Sequence, residues 1–264
     1  MPSLTDGVGS ALRRSVRGLR RRLLPYSDYN RTIPPEILDD EFYEVMLSLA
    51  RTAAVDTVLE IGSSTGEGST RAFVEGLKDN PRHPRLFCME LSRPRFDQLV
   101  RRYGGDPLIR CYNVTSVPLD RFPTEAQVVD FYQTQQTQLN RVPLSEVLRW
   151  LRQDVHYVGR LGPGQNGIRM IKEENGVDTF GIVLIDGSEF TGPAELDEVY
   201  GAEYILLDDI GTYKNLANFE RLRHDAAYRL TATNSALRNG YAVFQRSDQA
   251  TGRVEASAAA ATAL

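Results

Sequence analysis

Cysteine is scarce in this sequence: Cys88 and Cys111 are the two cysteines among its 264 residues. Two cysteines are too few for a disulfide framework or for a zinc site made of cysteine alone. Long hydrophobic runs are missing as well, and none approaches the roughly 18 residues that a membrane-spanning helix needs. We therefore expect a cytoplasmic protein with reduced thiols and no membrane-embedded body.

A large positive charge is also absent. The formal net charge is −4, which argues against nucleic acid as the main partner. The chain is 41% hydrophobic and 25% charged, which is the balance of an ordinary globular protein and excludes collagen-like and wholly disordered chains. Its length suits one α/β domain. We place this domain at residues 34–246 and expect a disordered tail at 247–264.

Residues 1–33 form a basic N-terminal extension. Leu12, Val16, Leu19 and Leu23 are spaced four, three and four apart, which puts them on one face of a helix with arginines around the rest. A short basic amphipathic helix over residues 11–24 would suit peripheral contact with an anionic membrane surface. A solvated, frayed extension is the alternative interpretation.

Short apolar runs alternate with helical patterns between the two ends. Strands separated by helices predict right-handed crossovers and a doubly wound α/β sheet, and Asn239-Gly240 predicts a closing hairpin. Pro34-Pro35 is expected to open the first helix. The predicted strands cover 57–61, 85–91, 108–112, 180–185, 204–207, 228–233 and 241–245. The helices between them cover 69–77, 93–102 and 216–227.

Residues 114–179 break this alternation, because a crossover between parallel strands needs only a dozen or two residues. Helical patterns over 124–132 and 144–158 make the segment a helical insert. It is interpreted either as a lid over a ligand site or as a packing or dimerisation element. We expect a homo-oligomer.

A glycine-rich stretch, Glu60-Ile61-Gly62-Ser63-Ser64-Thr65-Gly66-Glu67-Gly68-Ser69, follows the first strand. Glycine allows tight turns and a close approach of the backbone to a ligand, and the helix that begins here directs free N–H groups at a carboxylate or phosphate. The spacing fits neither the dinucleotide fingerprint nor the P-loop. A turn without a ligand is the alternative interpretation.

Acidic residues stand at the ends of three further strands. Glu90 ends the second strand, 28 residues after Gly62, where an acid can bind ribose hydroxyls. Asp186 ends the fourth strand, and Asp208 and Asp209 end the fifth, so these three should meet at one rim of the sheet. Carboxylates so close together repel one another unless a cation intervenes, and Mg²⁺ suits such oxygen ligands. Helix capping or adenine binding is the alternative.

The motif from Glu60 to Gly66 resembles the first motif of class I S-adenosylmethionine-dependent methyltransferases, D/E-x-G-x-G-x-G, with Ser64 at the middle glycine. The acids at 186, 208 and 209 look like the metal triad of the Mg²⁺-dependent O-methyltransferases of the catechol, macrocin and cephalosporin-hydroxylase-like types. The resemblance covers about residues 58–245 and implies a Rossmann-like sheet of seven strands with the last pair antiparallel.

The resemblance also implies roles for individual residues. The amino-acid end of S-adenosylmethionine would lie on the glycine-rich loop, Glu90 would hold the ribose, and the three aspartates would hold Mg²⁺. The residues expected at the cofactor are Glu60, Gly62, Ser63, Ser64, Gly66, Ser69, Glu90, Asp186, Gly187 and Ser188. The residues expected at the metal are Asp186, Asp208 and Asp209.

The general base is left open by the sequence. The catechol type has a basic residue three positions after the strand-four aspartate, whereas this chain has Glu189. Asp186, Glu189 and His156 are the candidate catalytic residues, with His224 and Lys214 as further candidates for the base.

The expected function is methylation of a hydroxyl on a sugar or natural-product small molecule. A methyltransferase without a metal, an aminopropyltransferase-like or nicotinamide enzyme, and a non-catalytic interaction protein of this fold at a membrane surface are the alternatives.

Overall fold

The computed structural model describes residues 32–162 and 164–247. The predicted membrane-binding helix at 11–24 lies outside these ranges, and so does the predicted tail at 247–264 except for Ser247. None of the helices in the described part is both long enough and apolar enough to span a bilayer.

Seven strands form one sheet in the order β3-β2-β1-β4-β5-β7-β6. Strands β1 to β5 are parallel neighbours, and β7 is antiparallel to both β5 and β6. This is the seven-stranded, doubly wound α/β sheet that was expected, with the predicted antiparallel hairpin at its end. The strands are Thr57–Ile61 (β1), Arg85–Met89 (β2), Ile109–Tyr112 (β3), Ile182–Ile185 (β4), Tyr204–Asp208 (β5), Tyr228–Asn234 (β6) and Tyr241–Arg246 (β7).

Helices cover both faces of the sheet. One apolar cluster joins the sheet to the first three helices, and a second joins its other face to the last three. The helices are Glu41–Thr52 (α1), Ser69–Lys78 (α2), Arg93–Tyr103 (α3), Glu125–Thr134 (α4), Leu144–Leu161 (α5), Gly167–Asn175 (α6), Gly192–Val199 (α7) and Leu216–Arg223 (α8). The central strands β1 and β4 are buried along their whole length, which is why β4 is a continuous apolar run and β1 is interrupted only by Thr57 and Glu60.

Helix α1 begins later than predicted. The prolines at 34–35 precede a bend, and the helix begins at Glu41, capped by the Asp40 side chain, which accepts a hydrogen bond from the Tyr43 N–H. A carboxylate is a good N-cap because it binds free N–H groups of the first turn. The prediction that Pro34-Pro35 opens the helix is therefore wrong by one and a half turns.

The predicted insert contains two different parts. Helices α4 and α5 share a small apolar core of their own, built around residues such as Val128, Trp150 and Leu151. Helix α6, which the sequence analysis missed, packs Ile168 and Ile171 into the main core under the sheet. Its signals are the N-cap Asn166 and the left-handed Gly176 that ends it.

Candidate functional site

The carboxyl ends of β1 and β4 lie side by side, at the point where the strand order reverses. Open parallel sheets bind ligands in the crevice at such a switch point. The predicted glycine-rich loop leaves β1 here, and Asp186 leaves β4. Gly62 has φ +97, and a Cβ at this position would lie 2.2 Å from the Asp186 carbonyl oxygen. Only glycine allows the two strand exits to approach this closely.

The Glu60 carboxylate is hydrogen-bonded to the glycine-rich loop from inside the protein. It is fully buried and accepts hydrogen bonds of 2.7 Å from the hydroxyls of Ser63 and Thr70. The Ser69 side chain also favours the ionised form of this carboxylate. Burial raises the pKa of Glu60 although these donors oppose the change. The structure thus places Glu60, Ser63 and Ser69 together, with Glu60 beneath the loop.

Glu90 lies against the same loop. Its carboxylate accepts a hydrogen bond of 2.6 Å from the Ser92 N–H, and the backbone N–H of Ser64 lies close enough to lower its pKa. Burial raises its pKa, and Arg95 is the strongest opposing charge. The bond from Ser92 occupies one of the four acceptor positions of the carboxylate. The predicted ribose-binding acid and the predicted loop are therefore in direct contact.

The three predicted metal ligands also come together. Asp186, Asp208 and Asp209 each offer a carboxylate oxygen, and these oxygens lie within 4.8 Å of one another. Burial raises the pKa of Asp208 to about 6, with the Asp209 charge as the second cause. Burial also raises the pKa of Asp186 well above its usual range, while Lys214 opposes this shift. We call these three residues the acidic cluster.

Two basic side chains already pair with the acidic cluster. The Lys214 ammonium lies 2.7 Å from an Asp186 oxygen and 2.9 Å from an Asp209 oxygen. The Arg238 guanidinium lies 3.0 Å from an Asp208 oxygen and also pairs with Asp40. An Mg²⁺ ion needs oxygens at about 2.1 Å. With Lys214 bridging two of the three predicted ligands, the side chains as placed do not fit an additional ion.

The hairpin between β6 and β7 contributes to the cluster from the far side. Asn239 donates a hydrogen bond of 2.8 Å to an Asp209 oxygen. The backbone N–H groups of Ile210 and Gly211 bond to the carbonyls of Gly240 and Asn239, at 3.2 and 2.8 Å. The hairpin turn is thus fixed beside the exit of β5.

The loop after β4 connects the site to helix α5. The Ser188 hydroxyl donates to the carboxylate of Asp154, which is fully buried. Glu189 is also buried, and its carboxylate accepts a bond of 3.4 Å from the Lys214 N–H. A Cβ at Gly187 would lie 2.9 Å from an oxygen of Glu195, so this loop packs directly on helix α7.

The structure separates two histidines from this group. His156 is exposed on α5, about 200° around the helix from Asp154 at 3.6 residues per turn. His224 ends helix α8 with an exposed ring beside Glu220. The prediction that His156 is catalytic therefore gains no support from its position, because the residue of α5 that bonds to the loop after β4 is Asp154.

Strained backbone concentrates at this edge of the sheet. Among the described residues, five other than glycine have positive φ, and four of them flank the site: Asp39, Ser64, Asp209 and Arg238. Such conformations cost energy and persist where surrounding contacts fix them. No motif in the sequence points to Asp154, Arg238 or Glu195 as site residues. Asn239 belongs to the Asn239-Gly240 hairpin signal, which predicts a turn and not a place at the site.

Comparisons with known proteins give similarity of fold at low identity. No family model matches this chain, and no curated protein matches it. A methyltransferase structure from Geobacter sulfurreducens is 12% identical, with a TM-score of 0.47 over 93% of this chain and 91% of that one. An SAH-bound methyltransferase from Podospora anserina is 14% identical, with a TM-score of 0.47 over 94% and 100%. Sequence identities of 12% and 14% assign neither an activity nor a role of any residue to this chain.

Proposed function

We propose that the protein is an S-adenosylmethionine-dependent methyltransferase that acts on a hydroxyl group of a small molecule. The observation that carries the proposal is the contact between Glu90 and the loop after β1. The Gly62 and Ser63 N–H groups donate to the carbonyl of Met89 at 3.0 and 2.9 Å, so the loop lies against the end of β2, where Glu90 follows. An acid at that position, beside a glycine-containing loop at the switch point, would provide the ribose and amino-acid subsites of a nucleoside cofactor in one crevice. The resemblance of residues 60–66 to the first methyltransferase motif supports the same cofactor.

The cofactor would lie between the loop and the β4 exit. Helix α2 begins at Ser69 without a side-chain cap, so the free N–H groups of its first turn favour the carboxylate of the cofactor's amino-acid end. Gly62, Ser63, Ser64 and Gly66 would contact that end through their backbone. Gly187 and Ser188 follow β4 on the opposite side of the crevice and complete the proposed set.

Methyl transfer from a sulfonium is an in-line displacement. The bond between the acceptor oxygen and the methyl carbon forms while the sulfur–methyl bond breaks, and the hydroxyl proton leaves the acceptor. Positioning of the two reactants lowers the barrier by several kcal/mol. Asp186 and Glu189 are the carboxylates proposed to receive the proton, because they follow β4 beside the proposed methyl position.

Two versions of this reaction differ in the cation beside the acceptor. Mg²⁺ on Asp186, Asp208 and Asp209 stays a prediction of the sequence analysis, and when bound it would lower the pKa of a coordinated hydroxyl. The ion pairs of Lys214 with two of these aspartates favour the version without a metal.

Aromatic side chains adjoin the proposed acceptor side. Tyr213 precedes Lys214. The centroid of the Tyr213 ring lies 4.8 Å from the ring centroid of Phe131 in helix α4 and 5.9 Å from that of Phe190. Helix α4 therefore contributes to the wall beside the acidic cluster. This wall would suit the ring of a sugar or natural product, which is the acceptor class that the family resemblance implies.

Calorimetric titration with S-adenosylmethionine, SAH and NAD tests the proposal. We expect the first two to bind and NAD to give no heat. A ligand present at 100 times its Kd would raise the free energy of unfolding by about 2.7 kcal/mol. The absence of binding by both sulfur compounds would favour the non-catalytic interaction protein. Transfer of a labelled methyl group to a panel of hydroxyl compounds would then define the acceptor.

A further inference from the structure

The side chain of Lys214 is almost fully enclosed. It is 6% exposed, whereas Asp186 is 19% and Asp209 is 2% exposed. A buried ammonium is stable only when opposite charges surround it, and its two partners are carboxylates from the ends of two adjacent strands. We infer that the Lys214 ammonium is the built-in cation of the acidic cluster and fills the space that the predicted Mg²⁺ would need.

The backbone around Lys214 is fixed, so the ammonium is not a loose surface group. Its carbonyl oxygen would lie 1.8 Å from a Cβ at Gly192, so this approach requires glycine at the start of helix α7. The next residue, Asn215, is fully buried and donates to the carbonyls of Ile185 and Asp208, at 3.0 and 2.6 Å. Asn215 thus ties the ends of β4 and β5 to each other and to the segment that carries Lys214.

The choice of residue type supports the same role. The chain has three lysines, Lys78, Lys172 and Lys214, against 28 arginines. Lysine presents a compact point charge with three donors, whereas arginine presents a planar fork. A compact charge can bridge two carboxylates from different strands, as a metal ion does. A lysine at this position is therefore notable in a chain that otherwise favours arginine.

A metal ion and Lys214 would compete for the same oxygens. An ion at about 2.1 Å from the Asp186 or Asp209 oxygen that binds Lys214 would stand within about 5 Å of the ammonium. Like charges so close disfavour each other. The third carboxylate, Asp208, is held by Arg238, so each member of the acidic cluster has a basic partner. We expect the wild-type protein to leave divalent ions unbound at this place.

Electron paramagnetic resonance with Mn²⁺, used in place of Mg²⁺, tests the inference on the full chain. We expect no stoichiometric binding to the wild type and binding of one ion to Lys214→Gln, at least roughly tenfold more tightly. Adding Asp209→Asn to that variant should abolish the gain. Lys78→Gln makes the same chemical change on the exposed side of helix α2 and should behave as the wild type.

Two results would overturn the inference. One is stoichiometric Mn²⁺ binding by the wild type that Asp208→Asn removes. The other is the absence of Mn²⁺ binding by Lys214→Gln when that variant keeps the wild-type circular dichroism spectrum.

A measurement on the wild type covers the case in which Lys214→Gln does not fold. With three lysines in the chain, the nitrogen resonances of the ammonium groups can be assigned by single Lys→Arg substitutions. The Lys214 resonance should stay unchanged when Mg²⁺ is added in millimolar excess. A shift or loss of that resonance alone, with Lys78 and Lys172 unaffected, would show that the ion displaces the ammonium and would contradict the inference.

Lys214 lies at the site of the proposed function, and the inference has a consequence for catalysis only if the methyltransferase proposal is correct. The two fail separately. If SAH does not bind, the methyltransferase proposal fails, while Mn²⁺ binding and the lysine resonances still report on Lys214. If SAH binds and Mn²⁺ also binds to the wild type, the methyltransferase proposal stands and the role of Lys214 is wrong.

Discussion

The hydroxyl of Ser188, in the loop after β4, donates a hydrogen bond to the fully buried carboxylate of Asp154 on helix α5. This bond joins the helical insert to the loop that carries Asp186 and Glu189. Replacing Asp154 by alanine leaves the Ser188 donor without this acceptor, and such a loss costs about 1–3 kcal/mol. We expect Asp154→Ala to lower the Tm by several degrees and to speed amide hydrogen exchange in residues 144–161.

Arg160→Ala is the matched control for Asp154→Ala, because Arg160 lies on the same helix with an exposed side chain. It should leave both the Tm and the exchange rates of α5 unchanged. Equal exchange in the Asp154 variant and the wild type would mean that the bond does not hold the insert on the loop.

Glu90 is predicted to carry much of the affinity for the nucleoside. Glu90→Gln keeps the shape of the side chain but removes its charge and one acceptor, and hydrogen bonds to a charged group contribute about 1.5–3 kcal/mol. Calorimetry should show SAH affinity lower by roughly 10–100-fold. Glu67→Gln is the control, since Glu67 lies on the same loop in an exposed ion pair with Arg102. Equal affinities of the two variants would remove Glu90 from the site.

Gly62 is predicted to tolerate no larger residue, because its φ is positive and because a Cβ would clash with a neighbouring strand exit. Gly176 also has positive φ, at +61, but a Cβ there would meet no atom within 4 Å. Gly176→Ala should therefore cost only the strain of the left-handed conformation, about 1–2 kcal/mol. Gly62→Ala adds the clash with the Asp186 carbonyl, and overpacking costs a further 1–3 kcal/mol, roughly. Urea denaturation of both variants measures the difference, and equal losses would contradict the close contact of β1 and β4.

Much of this fold could be predicted from the sequence because its signals are local. Buried parallel strands are short apolar runs, and the glycine-rich exit of β1 and the acids at 186, 208 and 209 lie directly after such runs. The rim of the sheet then follows from topology, since carboxyl ends of parallel strands share an edge.

The partners of these acids could not be predicted in the same way. Arg238 and Asn239 precede β7, the strand that runs in the opposite direction, and Asp154 belongs to an insert without a motif. Their positions depend on long-range packing. Lys214 was considered only as a base, because sequence spacing does not show that its ammonium bridges two strands.

The buried carboxyl group of Glu195 is predicted to make the free energy of unfolding depend on pH. Its carboxylate is fully buried and accepts bonds from Ser116 and Thr191, and burial raises its pKa above the usual 4.5. The folded state therefore holds this proton more tightly than the unfolded state, so the free energy of unfolding falls as pH rises from 4.5 through the raised pKa. Glu195→Gln does not titrate, and its stability relative to the wild type should increase over that interval.

Urea denaturation at several pH values between 4.5 and 8 measures this change. The other buried acids occur in both proteins, so their contributions cancel in the comparison. Glu125→Gln provides a control of opposite sign, because the hydrogen bond from Arg152 lowers the pKa of Glu125. Because the lowered pKa lies below the usual 4.5, that variant should lose stability relative to the wild type only as pH rises towards 4.5, and the two curves should run parallel between 4.5 and 8. Parallel curves for Glu195→Gln and the wild type would mean that Glu195 is ionised in the folded state.

The antiparallel direction of β7 determines which segment places basic and amide groups beside the acidic cluster. Because β7 is antiparallel to its neighbour β5, the turn before β7, and not the loop after it, lies at the rim with the acidic cluster. Lengthening or shortening the six residues between β6 and β7 would withdraw a guanidinium and an amide from two aspartates without altering any parallel strand. That turn is therefore a place where the charge of the crevice can change while the scaffold stays the same.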